Sequence, residues 1–207
     1  ERRAPAHSNR FVTAVRFDAR IFKSKHLDTL IRAFDMACGQ LGDLRLDIAG
    51  GGASANRAEA ERLIASLRSA GKIHFIGELP NDRFCAMLPD YAAFIRPSYP
   101  ETFGMVYLES LFAGLPILHA KDTGIDGYFP KLDFAVGVDH RQVADVARGI
   151  VHLYQNQMDL KHQLEEWLAA GALERFRKEH IVREYTNHIR QVLNGGGLQG
   201  AAGKEES

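Results

Sequence analysis

Short apolar runs alternate along the chain with longer stretches whose apolar positions recur every three to four residues. Residues 11–17 (Phe-Val-Thr-Ala-Val-Arg-Phe) read as a strand. Leu27, Leu30, Ile31, Phe34 and Cys38 then follow the spacing of a core-facing helix, which Ser24 can cap. Residues 44–49 read as a second strand, ended by Gly50, Gly51 and Gly52. A helix carrying Leu63, Ile64 and Leu67 comes next, with Gly71 as its stop. Residues 72–76 give a third strand, and Asn81 or Asp82 can cap a short helix through Leu88. Residues 92–96 give a fourth strand, halted by Pro97. The pattern predicts a helix over 104–113, ended by Gly114, then a short strand over 116–119 and a sixth over 133–138.

Strands that alternate with helices imply βαβ crossovers. The predicted fold is therefore α/β: a doubly wound, Rossmann-like parallel sheet covered on both faces. From residue 140 to 193 the pattern is helical throughout, so extra C-terminal helices follow the sheet and carry the single tryptophan, Trp167. Residues 1–10 are polar and aperiodic and read as a linker, 11–193 as one domain, and the glycine-rich 194–207 as a flexible tail. In such a sheet the binding crevice lies outside the carboxyl ends of the strands. The loops over 18–25, 50–56, 77–80, 97–103 and 120–128 are then the places to look for chemistry.

Composition narrows the classes. The 26 basic side chains are balanced by 26 acidic ones, which argues against a dedicated nucleic-acid binder. An apolar share of 45% is too high for a disordered chain. No uncharged run approaches the ~18 residues of a membrane-spanning helix. Cys38 and Cys85 read as thiols of a reducing compartment, so a cytoplasmic location is expected, extending at most to the inner face of the membrane. The chain opens on Glu1 and not on Met, so an upstream segment is expected. Its nine histidines make no metal-spaced pair, and His119 reads as packing near the crevice. No Asp-x-Asp, G-x-S-x-G or P-loop lysine motif occurs.

The stretch Arg96-Pro-Ser-Tyr-Pro-Glu101-Thr-Phe-Gly104-Met-Val-Tyr-Leu-Glu109 is the most informative. Its prolines end the strand and hold an extended loop, and Gly104 opens a helix with little bulk. The N–H groups of Gly104, Met105 and Val106 would face the crevice with the positive helix end behind them, an anion site suited to phosphate. The dipole supplies only ~0.3–1 kcal/mol when exposed and up to ~2 when partly buried, so nearby cations are needed as well. Glu101 precedes the helix and Glu109 lies about one and a half turns into it. The two carboxylates thus flank the anion site and could accept hydrogen bonds from sugar hydroxyls. A nucleotide sugar fits that layout. Taken alone, Glu101 and Glu109 could equally be a loop and a helix-surface carboxylate, and Gly50-Gly51-Gly52 a tight turn or a loose G-x-G-x-x-A fingerprint.

Two glutamates separated by seven residues, preceded by Pro-Ser and enclosing Phe-Gly, resemble the donor motif of the retaining GT-B glycosyltransferases, the group-1 family. Leu108-Glu109-Ser-Leu-Phe-Ala-Gly114-Leu-Pro116-Ile resembles that family's helix and following strand, Leu46-Asp-Ile-Ala-Gly50-Gly51-Gly52 its glycine turn, and Ile73-His-Phe-Ile-Gly77-Glu-Leu its base-side loop. Ala172-Leu-Glu-Arg-Phe176 onward to Tyr185 resembles its closing helix.

The resemblance implies that the chain is the C-terminal, donor-binding half of a GT-B architecture. A missing N-terminal domain would hold the acceptor and provide any peripheral membrane contact. Arg16 and Lys25 would bind the donor diphosphate, Glu109 the ribose, and Glu101, Phe103 and Gly104 the transferred sugar. Gly77 and Leu79 would line the base, while Gly51, Met105 and Val106 would complete the donor site. No cofactor or metal is implied, and a role in polysaccharide synthesis is expected. The chain departs from the family at Val15 and His26, where glycines are usual, at the longer stretch between Arg16 and Lys25, and at Thr123-Gly124, where two glycines are usual. Lys23 is thus an alternative to Lys25 as the phosphate cation. A non-catalytic nucleotide-sugar module and a GT-B-like epimerase are the alternative functions.

Overall fold

A computed structural model describes residues 6–18, 25–52, 54–127 and 132–193. The strands are β1 (Arg10–Ala14), β2 (Arg45–Ala49), β3 (Ile73–Gly77), β4 (Ala93–Arg96), β5 (Ile117–Ala120) and β6 (Ala135–Val138). All pair in parallel, in the order β3-β2-β1-β4-β5-β6. Phe11 lies in register with Leu46 on one side and Ala93 on the other. The chain runs outward from β1 to β3, then returns to place β4 beside β1. That reversal is the topological switch point at which open α/β sheets bind ligands.

The central strands are largely apolar, with little alternation, because helices cover both faces of the sheet. Phe11, Val12, Leu46, Ile48, Phe94, Ile95, Ile117 and Leu118 are all fully buried. Each such side chain contributes ~1.5–3 kcal/mol on burial. Helix α1 (Leu27–Leu41) buries Leu27, Leu30, Ile31 and Phe34, the stripe read from its spacing. It packs on α5 (Val143–Gln155). Gly149 brings α5 close to the sheet: a Cβ there would stand 2.8 Å from Leu118 Cδ1 and 3.0 Å from Val138 Cγ1. The remaining helices are α2 (Ser54–Ala65), α3 (Asn81–Met87), α4 (Met105–Phe112), α6 (Gln157–Ala169) and α7 (Lys178–Leu193).

Several boundaries differ from the sequence reading. The first strand ends at Ala14, but Val15 and Phe17 continue to donate backbone hydrogen bonds, to Ala49 (2.9 Å) and Gly51 (3.0 Å). Ser24 lies outside the described residues. The residue before α1 is His26 at φ 47°, with no side-chain cap. Asn81 is the first residue of α3, and Pro80 stands at the cap position. Helix α2 stops at Ala65, and Gly71 sits in a separate 3-10 turn, Ala70–Lys72. Residues 6–9, expected as linker, are tied down. Ser8 N donates to Gln157 Oε1 (2.7 Å), and the buried Lys161 donates to the Ala6 carbonyl (3.1 Å).

Asp47, in the middle of β2, is fully buried and charged. Its oxygens accept from Arg10 Nη2 (2.7 Å), Arg45 Nε (2.9 Å) and the Tyr91 hydroxyl (2.9 Å). Burial pushes the Asp47 carboxyl up, but these hydrogen bonds outweigh it and hold the group below the usual carboxylate range. The expected 11–193 domain divides into two compact units, Glu1–Trp167, which holds the whole sheet, and Leu168–Ser207, which holds α7 and a 3-10 turn at Glu174–Phe176.

Candidate functional site

A cleft of about 530 Å³ opens at the carboxyl ends of β1, β2, β3 and β4. It is lined by Ala14, Val15, Ala49, Gly50 and Gly51 from the ends of β1 and β2, and by Met105, Val106 and Glu109 of α4. The glycines let the chain pack this tightly. Gly50 sits at φ 138°, and a Cβ there would fall 1.8 Å from the Val15 carbonyl oxygen. At Gly51 a Cβ would fall 2.4 Å from Glu78 Oε2. The turn after β2 therefore lies directly on the end of β1, which only residues without side chains allow.

Gly104 precedes α4 at φ 72°. Beneath it lies the ring of Tyr107, whose hydroxyl donates to the Arg96 carbonyl (2.6 Å) and so ties the start of α4 to the end of β4. Burial pushes the Tyr107 hydroxyl up to about 12, so it stays a neutral donor. The first amides of α4 are thereby fixed at the cleft wall, where an N-terminal helix end favours an anion.

Lys25 and Arg16 also line the cleft. Lys25 Nζ donates to Ser98 Oγ and to Glu101 Oε2, each at 3.2 Å. Arg96 donates through Nη2 to the same glutamate oxygen. Burial pushes the Glu101 carboxyl up, yet Arg96 and Lys25 together outweigh it and hold Glu101 ionised below the usual carboxylate range. Glu109 Oε1 accepts from Asn81 Nδ2 (3.3 Å), joining α3 to α4, and both residues line the cleft. The cleft lining thus combines the cations Arg16, Lys25 and Arg96, the first residues of α4, and the carboxylates Glu78 and Glu109.

Of the residues singled out from sequence, Arg16, Lys25, Gly51, Leu79, Met105, Val106 and Glu109 line this cleft. Glu101 sits behind Lys25 and Arg96, bonded to both. Gly77, Phe103 and Gly104 support it from outside the lining: Gly77 ends β3 at φ 79° and accepts from Gly50 N (2.8 Å), and Phe103 and Gly104 lead into α4. Lys23 lies outside the described residues. Gly124 is pressed against the loop after β4, where a Cβ would meet the Thr102 carbonyl oxygen at 1.3 Å, and its N–H donates to the Glu101 carbonyl (3.2 Å). His119 is buried behind the site, 3.0 Å from the Ala120 carbonyl and edge-on to Tyr107, and burial holds its imidazole below its usual range. It packs, as expected. Outside the lining, the Tyr99 ring stacks on His140 (4.4 Å, 7°), which also meets His26 (4.5 Å). Among the described residues no group of three or more His, Cys, Asp or Glu side chains could hold a metal ion.

Sequence reading missed Arg96, treating it only as the end of a strand. The available signal was a charged residue closing an otherwise apolar strand at the switch point. Asn81 was read only as a cap.

Residues 12–167 match the family described as glycosyl transferases group 1. The D-inositol 3-phosphate glycosyltransferase of Acidothermus cellulolyticus is 32% identical over 158 residues, covering 75% of this chain and 35% of that protein. The GtfA subunit of the UDP-N-acetylglucosamine–peptide N-acetylglucosaminyltransferase of Streptococcus agalactiae is 25% identical over 187 residues, covering 85% of this chain and 35% of the relative. The chain therefore spans about a third of the length of these relatives. The pneumococcal O-GlcNAc transferase GtfA, solved with UDP and GlcNAc, superposes with a TM-score of 0.67 at 20% identity, over 93% of this chain and 38% of that one. Match and fold agree, and the chain belongs to the group 1 glycosyl transferases.

Proposed function

We propose that the chain is the C-terminal, donor-binding half of a retaining GT-B glycosyltransferase and binds a nucleoside-diphosphate sugar in the cleft at the β1–β4 switch. In this reading the diphosphate lies against the amides of Met105 and Val106, with Arg16 and Lys25 as its counter-charges. Glu109 accepts hydrogen bonds from the ribose hydroxyls, the base extends toward Gly77 and Leu79, and Gly51 lets the donor approach the backbone. The transferred sugar lies toward Glu101, Phe103 and Gly104. The observation that carries the reading is that one cleft at the switch point gathers the cations Arg16 and Lys25, the first residues of α4 and the Glu109 carboxylate. That set of groups suits a diphosphate joined to a ribose.

Chemically, the arrangement stabilises a departing diphosphate. As the bond from the anomeric carbon to phosphate breaks, negative charge grows on the leaving oxygen, where fixed amides and cations are most effective. Two charge-assisted contacts, of ~1.5–3 kcal/mol each, exceed what the helix end supplies alone. This route uses no metal ion and keeps the anomeric configuration. An N-terminal domain outside this chain would hold the acceptor, so the chain alone binds donor and transfers nothing. Membrane contact, if the whole protein makes it, would come through that domain, and the enzyme would act in the cytoplasm.

Calorimetric titration of the chain with UDP, GDP and ADP tests the site. Lys25→Ala and Glu109→Ala should each weaken the preferred nucleotide about tenfold or more, from the loss of one charge-assisted contact. Affinity unchanged in both variants removes the assignment, and sugar transfer by the isolated chain contradicts the division of labour.

A further inference from the structure

Arg96 and Lys25 converge on one carboxylate oxygen, Glu101 Oε2, but the two cations are held very differently. The two side chains are similarly buried, Arg96 at 11% exposure and Lys25 at 16%, and what differs is their anchoring. The Arg96 guanidinium lies 5.3 Å from the centre of the Tyr107 ring, and Tyr107 in turn is bonded to the Arg96 carbonyl. The Nε of Arg96 is buried with no hydrogen-bond partner among the described residues. Arg96 is therefore a planar cation fixed by its surroundings, with Glu101 as its ion-pair partner there. Lys25 is a point charge on a flexible stem, and its ammonium can serve a new acceptor by rotating its side chain. Both cations line the cleft, while Glu101 does not, so the difference between them lies in how freely each can turn.

We propose that Glu101 and the donor diphosphate compete for Lys25, and that Arg96 is the positioning residue that keeps Glu101 paired when Lys25 turns to the phosphate. The proposal rests on the nucleotide reading above. The Glu101 side chain is only 12% exposed, so stripping away every counter-charge would leave a nearly buried, uncompensated carboxylate. With Arg96 in place, that penalty is avoided and Lys25 is released at low cost. Without Arg96, Lys25 is the one cation left to Glu101 among the described residues, and an incoming diphosphate must take it from a carboxylate whose other described side-chain contact is the neutral Ser98 hydroxyl (3.4 Å). Lys25 thus becomes an exchangeable contact whose availability Arg96 sets. Glu101 meanwhile stays in one place beside the sugar end of the site, whether donor is bound or not.

The test is titration of the full chain with UDP and GDP, probes with no transferred sugar for Glu101 to touch. The chains compared are the parent, Glu101→Gln, Arg96→Met and the double variant, with thermal unfolding followed in parallel. Glu101→Gln removes the competing charge and should tighten nucleotide binding about three- to tenfold. Arg96→Met should weaken it about fivefold or more, and adding Glu101→Gln to Arg96→Met should restore affinity to the parent level or better. Affinity that falls or stays level in Glu101→Gln overturns the exchange, and this variant decides the matter even if Arg96→Met does not fold. A folded double variant that is not rescued also overturns it, because Arg96 would then be a direct phosphate ligand. If the parent chain binds no nucleoside diphosphate, the donor-site reading itself falls and takes this proposal with it. Binding with the wrong pattern among the variants removes the exchange alone.

Discussion

Gly104→Ala probes the link between local backbone and site. Gly104 holds φ 72° and ψ 82°, a left-handed conformation that costs an alanine ~1–2 kcal/mol. The added methyl would also lie 2.5 Å from Tyr107 Cδ2 and 2.6 Å from Cε2. Tyr107 has little room to yield. It is 1% exposed, its hydroxyl is bonded to the Arg96 carbonyl, and its ring meets Phe94 edge-on at 5.7 Å. Overpacking of this kind adds ~1–3 kcal/mol. The expected loss of stability is thus about 2–5 kcal/mol, measured by urea unfolding at neutral pH. Gly114 supplies the control, because it has a similar φ of 78° but open space where a Cβ would go. Gly114→Ala should lose only the backbone part, about 1–2 kcal/mol. Because Gly104 aims the amides of Met105 and Val106, its variant should also lose about tenfold in nucleotide affinity, and the Gly114 variant should not. Equal destabilisation by the two substitutions would refute the role assigned to Tyr107 beneath α4.

The exposed Gly39, inside α1 with nothing within 4 Å of its missing Cβ, should behave oppositely: Gly39→Ala should stabilise by about 0.5–1 kcal/mol in the same urea assay. Asp47→Asn should destabilise by about 2–4 kcal/mol, below the cost of breaking a fully enclosed pair because Arg10 and Arg45 reach solvent. The folded-state carboxyl of Asp47 titrates below its unfolded value of ~3.9, so its contribution is fully present above that pH and fades as pH falls through the lower, folded value. Acid unfolding curves should accordingly be shallower for Asp47→Asn than for the parent.

Much of the fold was legible because buried parallel strands are short apolar runs, and helices carry their stripe in the spacing of residues such as Leu27, Leu30, Ile31 and Phe34. Strand order was not legible. It depends on which strands meet across the sheet, as Phe11 meets both Leu46 and Ala93, and no local pattern encodes that pairing. Helix starts were misplaced where backbone conformation replaced side-chain capping, at His26 and Pro80. Asp47 shows the limit of an alternation argument, since a charged residue in mid-strand is buried by partners from three separate segments. At the site, Glu101, Glu109 and Gly104 stood out through their spacing. Arg96 did not, because one arginine among 26 basic residues gains meaning only when Tyr107, Lys25 and Glu101 close around it.

The most direct test of the donor site is a crystal structure of the chain with UDP or GDP bound, whichever binds more tightly in the titration. The account places the diphosphate within hydrogen-bond reach of the Met105 and Val106 amides, with the ribose hydroxyls on Glu109 and Lys25 turned from Glu101 to a phosphate oxygen. A nucleotide seated away from the start of α4, or a Glu109 carboxylate with no contact to the ribose, would contradict it.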